Sequence, residues 1–283
     1  MIIDCHTHVF SPELISRRDE YAAADTCFAM LYGNNKAKLR TAEDLIAEMD
    51  SSGVDQAVML NIGWTSHDLC ALTNDYLLDA AAKYPGRLIP FVSIQPAAGK
   101  QAVTEIRRCA AAGAKGVGEL RPNTQGFNLN DQCLTKPFIE AIIECDLILV
   151  CHADEPVGHH YSGKGSTTPE VLLPFINDYP ELKLILSHWG GGLPFYTLMP
   201  EVQEALQNVW FDSAASPFLY RPEIYERVAD LVGGEKILFG SDWPLLRQQR
   251  CLEELEATNL STWTTRNILG GNAAALLGLS DDD

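Results

Sequence analysis

The stretch Leu88-Ile89-Pro90-Phe91-Val92-Ser93-Ile94, followed by Gln101 to Ala112 and then, across Gly113, by Ala114-Lys115-Gly116-Val117-Gly118-Glu119, decides how the chain folds. An apolar, β-branched run of strand length gives way to a segment with helical spacing. A glycine closes that segment and a second strand-like run comes after it. The same unit recurs along the sequence, with strands expected at Ile2 to Cys5, Gln56 to Asn61, Leu88 to Ile94, Ala114 to Glu119, Leu147 to His152, Leu182 to Ser187, Val209 to Asp212 and Lys236 to Gly240. Alternation of this kind indicates a parallel sheet with crossover helices, and eight strands fit a closed (β/α)8 TIM barrel of the α/β class. Two helices stand out: Glu43 to Asp50, ending before Gly53, and Gln101 to Ala112. Thr168 before Pro169 reads as an N-cap followed by a proline at the first helical position. No composition shift or linker divides the chain, so a single domain over 1–283 is expected.

With 283 residues, 46% of them hydrophobic, the chain can bury a sizeable core. A formal net charge of -17 repels phosphate backbones and argues against nucleic acid as a partner. Eight cysteines are scattered without a C-x-x-C pair, a pattern that suits reduced thiols in a cytoplasmic protein. No apolar run reaches the length of a membrane span, and the acidic tail Asp281-Asp282-Asp283 reads as a solvated end. The expected partner is a small-molecule substrate, and assembly into a homo-oligomer is left open.

Two connections exceed what a barrel needs. Segment 11–41 follows the first strand and segment 155–168 the fifth, so both would emerge at the C-terminal face, where active sites of this fold sit. Each is a candidate lid; a rim insertion that only packs is the competing reading for the first.

His6, His8, Glu119, His152, His188 and Asp242 each fall at or just past the end of an expected strand, and barrel closure would gather them around one mouth. His6 and His8, two apart on an extended segment, face the same way, and imidazole nitrogen is a common metal ligand. By the same alternation Asp4 shares their face, deeper in the barrel, while Asp212 ends the seventh strand at a height to bond a ligand, the substrate or a loop. Glu119 could ligate metal or pair with nearby Arg121. Arg121 and Arg247 follow strand ends and could clamp a carboxylate. Trp64, Trp189 and Trp243 could wall a pocket, and His159, His160, Tyr161 and Lys164 could reach the substrate from the second long loop. That loop, Gly158-His159-His160-Tyr161-Ser162-Gly163-Lys164-Gly165, also matches G-x-x-x-x-G-K, but Gly165 stands where a phosphate-binding loop needs Ser or Thr.

Taken together, Ile3-Asp4-Cys5-His6-Thr7-His8, Gly116-Val117-Gly118-Glu119-Leu120, Val150-Cys151-His152, Leu186-Ser187-His188-Trp189-Gly190-Gly191 and Phe239-Gly240-Ser241-Asp242-Trp243-Pro244 resemble the amidohydrolase superfamily. The match is to its amidohydrolase 2 branch, which includes aminocarboxymuconate semialdehyde decarboxylase-like proteins. The resemblance implies that His6, His8, His152 and Asp242 hold a first divalent metal, usually zinc in relatives, and that His188 holds a second or orients the substrate. It makes Asp242 and His188 the catalytic candidates. Two-metal members bridge their ions with a carboxylate at the end of strand four, the position of Glu119, which puts metal-dependent hydrolysis of an amide, lactone or ester first. Non-oxidative decarboxylation of an aromatic or enoic acid is the alternative, favoured by the nearest branch and by Arg121 and Arg247. A non-catalytic metal- or nucleotide-binding protein is a third reading. One ion or two remains open.

Overall fold

Eight parallel strands lie side by side in chain order in the computed structural model, which describes residues 1–279. The Asp281, Asp282 and Asp283 tail lies outside the described residues. The strands are β1 (Ile3–His8), β2 (Gln56–Leu60), β3 (Leu88–Val92), β4 (Gly116–Leu120), β5 (Ile148–Cys151), β6 (Leu184–Leu186), β7 (Val209–Asp212) and β8 (Ile237–Leu238). Cys5 N donates to Phe239 O (2.8 Å), His8 N to Trp243 O (2.7 Å) and Asp242 N to His6 O (2.9 Å), so the last strand closes on the first. The fold is the (β/α)8 barrel. Its strands are shorter than their apolar runs at β3, β6 and β8, because burial extends beyond the last ladder hydrogen bond. At β1 the ladder instead runs on past Cys5, so both histidines lie within the strand.

Alternate strand residues fill the barrel interior (Cys5, Val58, Phe91, Val150, Ile185, Leu238) or face the helices (Ala57, Met59, Val117, Leu149, Phe211). Register irregularities interrupt this alternation in two places, between Asp4 and Thr7 in β1 and between Val117 and Leu120 in β4. A bulge of this kind places two successive residues on one face and re-aims the side chains beyond it. Asp4 is opposite Ala57 and Thr7 opposite Met59, both on the helix side, whereas His8 is opposite Leu60, which lines the interior. Asp4 therefore does not share the face of His6 and His8, contrary to strict alternation. It lies in the strand–helix layer and accepts from Ser241 Oγ (2.6 Å) and Gln248 Nε2 (2.8 Å). In β4 the same device swings Glu119 inward beside its neighbour Gly118. That glycine has φ +145°, and a Cβ there would come 2.5 Å from Val150 O.

The helix Ala42–Ser52 starts with a capping box, Thr41 with Asp44, and stops at Gly53 in the left-handed region. A polar belt joins the helices His67–Lys83 and Lys100–Ala111 to the strand ends. Asn74 Nδ2 donates to Glu105 Oε1 (2.8 Å) and its Oδ1 accepts from Ser93 N and Asn61 Nδ2; Asn61 O in turn accepts from Glu119 N (2.7 Å). Burial would raise the Glu105 carboxyl, but Arg108 and Asn74 outweigh it and hold it at about 2, against an ordinary 4.5. The ionised form is favoured by folding, so its contribution is complete above pH 4.5 and fades as the pH falls toward 2. At neutral pH that is at most about 3 kcal/mol, reduced by solvent at the half-exposed Arg108. Glu105→Gln is expected to lower the thermal midpoint by roughly 4–10 °C at pH 7, with the gap to the wild type narrowing below pH 4.5. A gap independent of pH would contradict this.

All eight cysteines are free, with Cys133 exposed and Cys145 half-buried. Among the described residues no helix is long and apolar enough to cross a membrane.

Candidate active site

At the C-terminal mouth of the barrel the Nε2 atoms of His6 and His8 face each other 3.1 Å apart. Their other ring nitrogens have partners: His6 Nδ1 lies 2.9 Å from Asp212 Oδ2 and His8 Nδ1 3.2 Å from Leu60 O. Those partners accept, so each Nδ1 carries the hydrogen and each Nε2 turns a lone pair toward the other. Two opposed lone pairs repel unless a proton or a metal cation lies between them. The spacing is also close to the ~3 Å expected between neighbouring ligands that each sit about 2.1 Å from one ion. Asp242 Oδ1 stands 3.4 Å from His8 Nε2 and 3.8 Å from His6 Nε2. His6, His188 and Asp242 form one potential ligand group, as do His6, His8 and Glu119. Burial would lower His6, but the carboxylates of Asp212, Asp242 and Glu119 outweigh it and raise the ring to about 9. The donor set and the field it sits in fit a divalent cation.

Both Asp242 and His188 have non-glycine backbones in the left-handed region, with φ of 63° and 57°. For His188 the turn is held by Asp212, whose Oδ1 accepts the His188 N–H (2.9 Å). The His188 ring places Nδ1 against Ala214 O (3.0 Å) and Nε2 3.5 Å from Glu119 Oε1. Burial would lower this imidazole as well, and Glu119 more than compensates, lifting it to about 10. One buried carboxylate, Asp212, thus orients two histidines. The Asp242 carboxyl is held below the usual range despite its burial, by His8, His6 and His188.

Glu119 is already engaged. Arg121 Nη1 donates to its Oε2 (3.0 Å), and His152 Nδ1 lies 2.9 Å from its Oε1. The guanidinium also lies along the edge of His152, and its Nη2 donates to Gly163 O (2.8 Å). Burial alone would raise the Glu119 carboxyl; Arg121 and His152 keep it well below the usual range. His152 Nε2 meets Asp154 Oδ1 (3.1 Å), so both of its nitrogens face carboxylates. Asp154 also accepts from Gly165 N (2.7 Å) and Thr167 N (2.9 Å), tying the loop 155–168 to the site.

Above these groups opens a cavity of about 420 Å³. His8, Glu119, His152, His188 and Asp242 form its floor, while Leu31, Ile62, Phe218, Leu219, Pro244 and Leu245 make a largely apolar wall. A charged floor beneath an apolar wall suits a ligand with an acidic head and a hydrophobic body.

The family model described as amidohydrolase matches residues 3–279. The chain belongs to the amidohydrolase family. This amidohydrolase is 23% identical to 2-amino-3-carboxymuconate-6-semialdehyde decarboxylase of Dictyostelium discoideum, across 98% of the chain and 91% of that protein. It is 25% identical to L-fucono-1,5-lactonase of Burkholderia ambifaria, over 87% and 81%. Its fold superposes with a TM-score of 0.81 on 5-carboxyvanillate decarboxylase of Novosphingobium aromaticivorans, solved with manganese and 4-hydroxy-3-methoxy-5-nitrobenzoic acid, at 22% identity and covering 99% and 96% of the two chains.

Not every residue anticipated around the amidohydrolase centre reaches the cavity. His159 and Tyr161 line it. Lys164 turns its ammonium onto the loop's own carbonyls, Val157 O (2.6 Å) and His159 O (3.3 Å). With Gly165 N and Thr167 N given to Asp154, little of this loop is left to cradle a phosphate, which removes the basis of the nucleotide reading. Trp189 is fully buried behind the mouth, edge-on to Tyr225 with Nε1 on Ser216 Oγ, because the left-handed turn at His188 sends the following side chain into the helix layer. Trp64 and Trp243 are also packed in the core. Arg247 points outward at the start of the helix Gln248–Glu256 and pairs with Glu48 at 3.3 Å, so it does not clamp a ligand in the cavity. Segment 11–41 folds as the helices Pro12–Ser16, Arg18–Ala24 and Thr26–Tyr32, anchored by a buried cluster of Phe10, Leu14, Tyr21, Phe28 and Trp64. It is a packed wall rather than a loose flap. Through Leu31 and Tyr32 it contributes cavity residues that strand-end reasoning misses; the aromatic spacing of Phe28 and Tyr32 on one helix face is the signal that points to them. Asp154, two residues past His152, is missed by the same reasoning.

Proposed function

We propose that this amidohydrolase is a metal-dependent decarboxylase of planar carboxylic acids, aromatic or enoic. The observation that carries it is the state of Glu119. Hydrolysis ranks first on sequence because Glu119 could bridge two ions, yet its oxygens are met by Arg121 and His152. The guanidinium supplies positive charge where a second ion would, which favours one ion under the apolar wall, although Glu119, His152 and His188 also form a potential ligand group. The decarboxylase relatives support the same reading, whereas the lactonase keeps ester opening as the second one.

Decarboxylation replaces a carboxylate by hydrogen: the carbon bearing it takes a proton, the bond to the carboxylate breaks, its electron pair stays with the carbon framework, and carbon dioxide leaves. This chain's part is to bind the acid flat, keep water off, and hold a proton beside that carbon. Asp242 and His188 both border the cavity floor and are the groups we assign to the proton. His6, His188 and Asp242, with His8 Nε2 3.4 Å from Asp242 Oδ1, would hold the ion. When bound, a divalent ion would polarise the substrate's oxygens and fix their position. Zinc is the expectation from the resemblance, but a structural relative holds manganese, and these nitrogen and oxygen donors suit either.

The test is to load purified protein with Mn²⁺ or Zn²⁺ and offer 5-carboxyvanillate, 2-amino-3-carboxymuconate-6-semialdehyde, a panel of hydroxybenzoates and L-fucono-1,5-lactone. Carbon dioxide from at least one acid is the expected result. Lactone opening with no decarboxylation of any acid would favour hydrolysis instead.

A further inference from the structure

We propose that Tyr32 is a substrate-binding residue whose hydroxyl donates a hydrogen bond to an oxygen of the substrate's acidic group as it rests on the metal-binding floor. This rests on reading the cavity as an acid-binding site, and it adds a residue from the β1–β2 connection to a centre built from strand ends.

Tyr32 ends the helix Thr26–Tyr32 and lines the cavity. Its ring is fixed before any ligand arrives. It packs edge-on to Phe10 at 4.8 Å and tilted against Phe28 at 5.5 Å, and Phe28 in turn stacks on the buried Trp64 at 5.2 Å and 11°. An aromatic set in this way costs little further ordering when its polar tip engages a ligand. The tip lies in the field of Asp242, Arg121 and Glu119, the groups of the floor. Burial first, and then Asp242, push its phenol well above the ordinary value, so it stays protonated and is a donor.

The Tyr32 hydroxyl has no hydrogen-bond partner among the described residues. Arg121 gives both Nη atoms to Glu119, His152 and Gly163, with its Nε buried and unpartnered, and Tyr161 donates to Glu155. Lys38 and His159 also line the cavity, but they sit exposed on its outer wall. A half-buried phenol beside a cation-binding floor therefore awaits an acceptor from the ligand. An anionic oxygen held by the ion is the acceptor that this floor would present to it.

Tyr32→Phe keeps the ring and its packing and removes only the hydroxyl. The probe is 4-hydroxy-3-methoxy-5-nitrobenzoic acid, titrated calorimetrically into Mn²⁺-loaded wild type and variant, with metal content and thermal midpoint measured alongside. The expected result is a Kd about 10- to 100-fold weaker in the variant, with metal content and midpoint unchanged. An unchanged Kd, or a weakening matched by a fallen midpoint, would overturn the role of the hydroxyl and leave the decarboxylase reading standing. No binding to the wild type would overturn the acid-site reading and this proposal with it.

Discussion

Asp242→Asn is expected to lower kcat for decarboxylation by about 10³-fold while leaving the barrel folded. The amide keeps the shape of the side chain, and asparagine tolerates the left-handed backbone at φ 63° better than most residues. The Asp242 N–H bond to His6 O is also untouched, so closure of the barrel does not depend on the carboxylate. What is lost is the negative charge beside His6 and His8 and a group able to hold and pass a proton. Single-turnover rates with metal content measured on the same sample separate the two contributions. A variant that retains metal and turns over within tenfold of the wild type would remove Asp242 from the chemistry.

The second large effect is on stability. Arg121 and Glu119 are both buried at the mouth, and removing one partner of a buried ion pair costs about 3–5 kcal/mol because the other charge is left uncompensated. Arg121→Met fills much of the same volume without the charge and gives up the bonds to His152 and Gly163 as well. Its thermal midpoint is expected to fall by roughly 6–15 °C, and excess Mn²⁺ should recover part of that loss by supplying the missing positive charge to Glu119. A midpoint within a degree or two of the wild type would mean that Glu119 does not depend on this guanidinium.

The barrel was legible because parallel strands covered by helices on the outside and packed within read as near-continuous apolar runs, and each run here is followed by helical spacing and a turn residue. The site was legible as far as residue type and strand-end position determine it: His6, His8, Glu119, His152, His188 and Asp242 do meet around one mouth. Details of backbone register were not. The bulges in β1 and β4 turn Asp4 away and bring Glu119 in, and nothing in a period-two pattern announces an extra residue. The same limit applies to the left-handed turn at His188, which carries Trp189 out of the pocket that its position suggested. Partners distant in sequence were also hidden. Arg121 looked free to clamp a substrate until folding placed it against Glu119 and His152, and Tyr32 reaches the cavity only because an aromatic cluster docks its helix over the rim.

The most direct measurement is turnover of a carboxyl-labelled aromatic acid by the Mn²⁺-loaded protein in D₂O, tracking labelled carbon dioxide and the product together. A decarboxylase releases the label as carbon dioxide, places one deuterium on the carbon that lost it, and stops when the ion is chelated. Retention of the label in every acid offered, with metal-dependent opening of a lactone by the same preparation, would contradict decarboxylation and restore hydrolysis as the activity of this site.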